Sequence, residues 1–260
     1  MDKCIRSIEE KGTYKNIEYI VIENNSQKKE TFAYYEKLQA ENPKVKVVFW
    51  EREFNYSAIN NYGVGFAKGE YLLFLNNDTE IINPDCIEEL LGYCMRDDVG
   101  IVGARLYYED DTIQHVGVII GLGGVAGHTF VGEPKDSLGY FGRIVTAQDY
   151  SAVTAACLMT KRKVFEKVNG FEEKLAVAFN DVDFCLKVRE AGYLVVYNPY
   201  AELHHYESKS RGLEDTEEKV LRFQGEIRTF QYRWKEILNE GDPYYSPNLT
   251  LDKTDFSLRI

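Results

Sequence analysis

Apolar positions along this chain recur with two periods, helical and extended, in regular alternation. Residues 3–11 predict an amphipathic helix, and Ile17 to Glu23 predict a strand. Residues 28–41 predict a helix with Phe32, Tyr35 and Leu38 inward, followed by a strand from Val45 to Trp50 and a helix from Ser57 to Lys68. The run Leu72-Leu73-Phe74-Leu75 is short and wholly apolar, and it stops on Asn76-Asn77-Asp78. Such a run predicts a strand buried on both faces, with polar groups at its carboxyl end. Asn83-Pro84 opens the next helix with a cap and a proline in the first turn. Val99 to Tyr108 and Ile113 to Leu122 flank a turn at Glu109-Asp110-Asp111-Thr112.

From Gly121 to Gly142 glycines are dense, which predicts a long surface loop of the kind that is usually functional or disordered. Val153 to Met159 reads as a buried strand, and Asn169-Gly170-Phe171 as a turn. Asn180-Asp181-Val182-Asp183 starts a helix running to about Ala191, and Tyr193 to Tyr197 returns as a strand. Leu203-His204-His205-Tyr206 follows after Pro199, and a long helix from Thr216 to Leu238 precedes a proline-containing tail. The alternation specifies an α/β fold: a mixed, largely parallel sheet with helices on both faces. Residues 1–212 are read as one domain, with 213–260 as a C-terminal helix and tail packed on it. A helix precedes the first visible strand, so the sheet is expected to lack its opening strand and the sequence to be part of a longer protein.

Composition narrows the classes. A chain of 260 residues at 44% apolar can bury a sizeable core. A net charge of −11 argues against a nucleic-acid partner. The five cysteines show no C-x-x-C pair, which suits reduced, buried thiols of a cytoplasmic protein. No apolar stretch approaches the ~20 residues that span a bilayer, and no signal peptide is expected from the charged opening segment.

Three acidic or imidazole stations stand at strand ends or helix starts: Asp78, then Asp181 with Asp183, then His204 with His205. A carboxylate beyond a strand's carboxyl end is well placed to hold a divalent cation against a diphosphate. Each station also has a plain structural role: Asn76, Asn77 and Asp78 can turn the chain, and Asp181 and Asp183 suit a helix start. Spacing alone decides between these roles at none of the three.

The order of motifs adds to this. The matching segments are Glu23-Asn24-Asn25-Ser26, Phe54 to Asn61, Leu75-Asn76-Asn77-Asp78-Thr79, Gln114-His115-Val116-Gly117, Ala152 to Met159, Asn169-Gly170-Phe171, Asn180 to Asp183, Glu202 to Ser208 and Asp242 to Leu249. In that order the chain resembles family-two inverting glycosyltransferases of the GT-A fold, especially rhamnosyltransferase-like bacterial enzymes of cell-surface polysaccharide synthesis. The resemblance implies transfer of a sugar from a nucleotide-sugar donor to a glycan or lipid-linked acceptor, with Mg2+ or Mn2+ as cofactor. It implies Asp78 and His205 as metal ligands, and Glu23, Asn77 and Asp78 as donor-binding residues. Asp181 falls on the general base, with Asn76 and Asp183 supporting and His204 incidental. A lipid-linked acceptor would bring the protein peripherally to the inner face of the membrane.

The chain departs from the family at Asn76, neutral where the first acidic residue of D-x-D stands, and at Asn180. Gln231-Tyr232-Arg233-Trp234 has one residue fewer than the Q-x-x-R-W of processive synthases, so Phe230 and Trp234 read as the i, i+4 face of a docked helix. A non-catalytic GT-A-like scaffold or donor-binding remnant is the alternative function. A metal-dependent nucleotidyltransferase is a third, disfavoured because it has no use for a base at Asp181.

Overall fold

The computed structural model describes residues 1–206 and 216–259. Its elements, in chain order, are α1 (Asp2–Lys11), β1 (Tyr19–Glu23), α2 (Lys29–Glu41), β2 (Val45–Phe49), α3 (Tyr56–Val64), β3 (Tyr71–Leu75) and β4 (Thr79–Ile81). There follow α4 (Cys86–Cys94), β5 (Val99–Tyr107), β6 (Ile113–His115), β7 (Val118–Ile120), β8 (Ala126–His128), β9 (Gln148–Asp149) and β10 (Cys157–Lys161). The last elements are α5 (Arg162–Lys167), α6 (Asn180–Glu190), β11 (Leu194–His205), α7 (Glu217–Arg233) and α8 (Lys235–Glu240). The expected boundary at 212/213 and the motif residues Glu207 and Ser208 lie outside the described residues.

The fold is α/β, with a mixed sheet between helical layers. Its main part has the order β3-β10-β5-β11-β4, with β6 beside β5 and β9 beside β11. Parallel pairing is confined to β1–β2 and β5–β11; the other ladders are antiparallel, a smaller parallel share than the alternation predicts. β5–β6 and β7–β8 join strands close in sequence, while the other antiparallel ladders bring together strands far apart along the chain. β1 and β2 form a separate two-stranded ladder. The second edge of β1 and the second edge of β3 have no strand partner among the described residues. The carboxylate of Glu18, just before β1, accepts from the backbone N–H groups of Lys68 and Gly69, just before β3, and holds the two strand starts together.

Period-two alternation divides the core between the two faces of the sheet. Leu72, Phe74, Ile101, Leu158, Val195 and Tyr197 join α5, α6 and α7 on one side. Val102, Ala104, Leu106, Met159 and Val196 join α1 and α4 on the other. β3 is therefore not buried on both faces: Leu72 and Phe74 are buried, while Tyr71, Leu73 and Leu75 are half-covered, as suits a sheet edge. α1 is tied to β4 by Lys3 and Lys11, both 2.8 Å from the Glu80 carboxylate. Burial works to raise Glu80, but these lysines and the Tyr206 hydroxyl outweigh it and bring its pKa to about 2. All five cysteines are free and buried.

Other differences have local causes. Phe32 is exposed and Leu38 half-buried, because α2 covers only the narrow β1–β2 ladder; Tyr35 alone of the three turns inward. β11 runs through Pro199 as one strand, with register shifts against β5 between Leu194 and Val195 and between Asn198 and Glu202. The long C-terminal helix breaks at Trp234, and both Phe230 and Trp234 are buried in the core. The glycine-rich 121–142 segment contains β8 and is pinned from the tail. Phe130 stacks on Phe256 at 4.9 Å, and the Gly123 and Phe130 amides donate to the Leu251 and Thr254 carbonyls.

The predicted strand from Ile113 to Leu122 is split at Gly117, whose φ is +125°. A Cβ there would lie 2.6–2.7 Å from the buried Tyr150 ring. Gly117→Ala is expected to cost about 2–4 kcal/mol from backbone strain and overpacking together. Urea unfolding measures it, and a loss under about 0.5 kcal/mol would refute the packing argument.

Candidate active site

The site grows from the turn that ends β3. Asn76-Asn77-Asp78 crosses the sheet's edge into β4; the backbone N–H and hydroxyl of Thr79 donate to the Asn76 carbonyl and close the turn. The Tyr206 amide donates to the Asp78 carbonyl, which fixes this turn to the end of β11. The half-buried Asp78 carboxylate thereby comes 3.3 Å from Nε2 of His205. Asn76 Nδ2 lies 3.1 Å from the same Nε2. Asn77 is exposed at the tip of the turn. His204 points away from the corner and meets the exposed Asp111 at 2.9 Å.

The other ring nitrogen of His205 is spoken for. Nδ1 lies 2.7 Å from Gln114 Oε1, an atom that can only accept, so the proton sits on Nδ1. In the neutral ring Nε2 then carries a lone pair toward Asp78. This is the arrangement usual for a metal-ligating histidine, whose second nitrogen donates to a carbonyl or carboxylate. The 3.3 Å between Nε2 and Asp78 Oδ1 is close to the ~3 Å edge of an octahedron with ~2.1 Å bonds. The donor set fits a divalent cation, which would have to draw its remaining ligands from outside these two side chains. No closed cage exists: no three His, Cys, Asp or Glu side chains form a metal cluster among the described residues.

Asp181 reaches this corner through residues 154–156. Its Oδ2 accepts from the Ala155 amide at 3.0 Å, and its Oδ1 accepts from the Val182 amide at 2.9 Å. One residue further, the Ala156 carbonyl accepts from the Asn76 amide at 3.0 Å. The Tyr56 hydroxyl donates to the Ala155 carbonyl at 3.0 Å, and burial pushes its own pKa far up. Asp181 is half-buried at the start of α6, a carboxylate positioned by backbone amides with part of its surface open.

Asp183 has a different environment. It is fully buried; Oδ1 accepts from Trp234 Nε1 at 2.9 Å and pairs with Arg233 Nε at 3.2 Å, while Oδ2 lies 3.6 Å from Lys187 Nζ. Burial raises its carboxyl, against the pull of Lys187 and Arg233. Asp183 therefore ties α6 to the C-terminal helix, and the Arg233-Trp234 pair acts as its partner. Glu23 is also buried: its oxygens accept from the Ser26 amide and hydroxyl and from Tyr35 OH at 2.6 Å. It braces the loop after β1, and no hydrogen bond joins it to the Asp78 corner among the described residues. Gln114, His115 and Thr154 were given no role by sequence reasoning, although all three stand in segments that it singled out.

Residues 1–168 match the family profile described as glycosyl transferase family 2, well over half the chain. The chain belongs to glycosyltransferase family 2. It is 48% identical over 255 residues to "Uncharacterized protein y4gI" of Sinorhizobium fredii, covering 98% of this chain and 28% of that protein. It is 38% identical over 248 residues to "O-antigen biosynthesis protein RfbC" of Myxococcus xanthus, covering 95% of this chain and 19% of that one. The chain thus spans less than a third of the length of either relative. Among solved structures, GalNAc-T7 with UDP, GalNAc and Mn2+ superposes with a TM-score of 0.68 at 14% identity, over 90% of this chain and 47% of that one. That likeness shows a shared GT-A fold.

Proposed function

We propose that this chain is the catalytic part of a metal-dependent, inverting glycosyltransferase acting in cell-surface polysaccharide synthesis. Its donor is a nucleotide-sugar and its acceptor a glycan or a lipid-linked saccharide, the latter met at the inner face of the membrane. The observation that supports this most directly is the joining of Asp181 to the Asp78–His205 corner through residues 154–156.

In this reading Asp78 and His205 would hold Mg2+ or Mn2+, which would supply positive charge against the leaving nucleoside diphosphate. Asn76 supports the His205 ring, Asn77 faces the donor, and Glu23 shapes the loop that meets the nucleoside. Asp181 accepts the proton of the acceptor hydroxyl as its oxygen attacks the anomeric carbon. The two amide bonds leave that carboxylate oriented before substrate arrives. One displacement with one base inverts the anomeric centre, unlike the paired carboxylates of retaining glycosidases.

Calorimetry with UDP and dTDP tests the donor half. Binding is expected in Mn2+ and is expected to fall at least tenfold after exhaustive chelation. Unchanged affinity without metal would sink the metal-dependent reading and point to cationic side chains instead.

A further inference from the structure

The Gln114-His115 dipeptide of β6 touches both halves of the site, yet neither residue meets substrate in the reading above. Consecutive side chains on a strand leave on opposite sides, so one short strand can brace two different neighbours. Gln114 grips His205 at two points: Oε1 accepts from Nδ1 at 2.7 Å, and Nε2 donates to the His205 carbonyl at 3.2 Å. His115 Nε2 accepts from the Thr154 amide at 3.3 Å, at the head of the 154–156 segment whose Ala155 amide donates to Asp181.

The His115 ring is fully buried, and burial drives its pKa well below the ordinary value, so it is neutral. With Nε2 accepting, the proton resides on Nδ1, which is buried without a hydrogen-bond partner. The His128 ring stands edge-to-face at 4.7 Å. An apolar side chain would avoid leaving that N–H unpaired. What it would forfeit is the acceptor for Thr154, which is the chemical reason for an imidazole at this position.

We propose that Gln114 and His115 form one positioning element: Gln114 sets the tautomer and orientation of His205, and His115 fixes the 154–156 segment that orients Asp181. Resting on the functional reading above, this makes β6 the part that holds the donor corner and the base in register. Neither residue is catalytic. Both act through a neighbour.

Nuclear magnetic resonance of 15N-histidine-labelled protein, without metal or donor, tests the proposal. His205 and His115 should both be Nδ1–H tautomers. Gln114→Met should give His205 a measurable Nε2–H population and weaken Mn2+ binding in the presence of UDP by about 10–100-fold. Gln114→Glu, nearly isosteric, keeps the acceptor and should keep the tautomer, so it guards against a misfolded methionine variant. His115→Leu should speed Thr154 amide exchange at least tenfold, and His115→Gln, whose side-chain oxygen replaces Nε2, should restore protection. An Nε2–H ring at His205 in the unaltered protein, a tautomer indifferent to Gln114→Met, or native exchange at Thr154 in His115→Leu would each overturn it. These signals need neither metal nor sugar, so their failure is distinct from a failure of the unaltered protein to bind Mn2+ and UDP.

Discussion

Asp181→Asn is expected to lower sugar transfer by roughly 10²–10⁴-fold while leaving the melting transition almost unchanged. The asparagine oxygen can still accept one of the two amides now bonded to the carboxylate, from Ala155 or Val182, so the helix start survives. What disappears is the capacity to take a proton. Asp183→Asn, two residues on, should behave in the opposite way. Its carboxylate is buried against Arg233, Lys187 and Trp234, so neutralising it should cost about 1–3 kcal/mol of stability. Transfer per folded molecule should fall far less than for Asp181→Asn. Kinetics and melting measured on both variants separate the roles. A wild-type rate for Asp181→Asn would remove the base assignment even with the family secure.

At the donor corner, Asp78→Ala and His205→Ala should each reduce turnover by about 10²–10³-fold, the scale seen when a group facing developing charge is lost. UDP affinity in Mn2+ should fall in parallel. The double variant should lose little more than either single, because one remaining protein ligand no longer makes a site. His204→Ala is the comparison. It removes the contact to exposed Asp111 and the ring contacts with Tyr107 and Tyr206, so stability should fall by no more than about 1 kcal/mol and turnover should hold. Equal losses for His204 and His205 would mean that the corner has been misread.

The pairing of strand ends with polar stations was legible in the sequence, because a buried strand announces itself by an abrupt apolar-to-polar change, as at Leu75-Asn76. The approach of Asp78 to His205 followed from motif order, not from spacing, since 127 residues separate them. The partners of Asp183 lay beyond local reading: Arg233 and Trp234 come from a helix some 50 residues later, and a carboxylate at a helix start looks sufficiently explained by the dipole. The same holds for Ala155, whose contribution is a backbone amide that no side-chain pattern reports. The 121–142 segment was read as a surface loop because glycines mark flexible backbone. Its anchor is Phe130 against Phe256, a contact 126 residues apart with no periodic signature. Phe32 failed for a different reason. A helical apolar stripe says that a face is covered only when the sheet beneath is wide enough to cover it.

The separation of β1 and β2 from the larger sheet has a consequence for how the molecule opens. Five residue pairs hold that ladder together, and no ladder ties it to β3 among the described residues; its links to the rest are side-chain packing, the Glu18 clasp, and the bonds of Tyr19 and Lys44 to Glu9 of α1. Opening it exposes little of the main core, so its amides should exchange by a sub-global route, well before those of β5, which is buried along its whole length. Isotope uptake would then show two tiers of protection in one fold. The lower tier carries the Glu23 loop, so the part of the chain read as meeting the nucleoside is also the part that breathes.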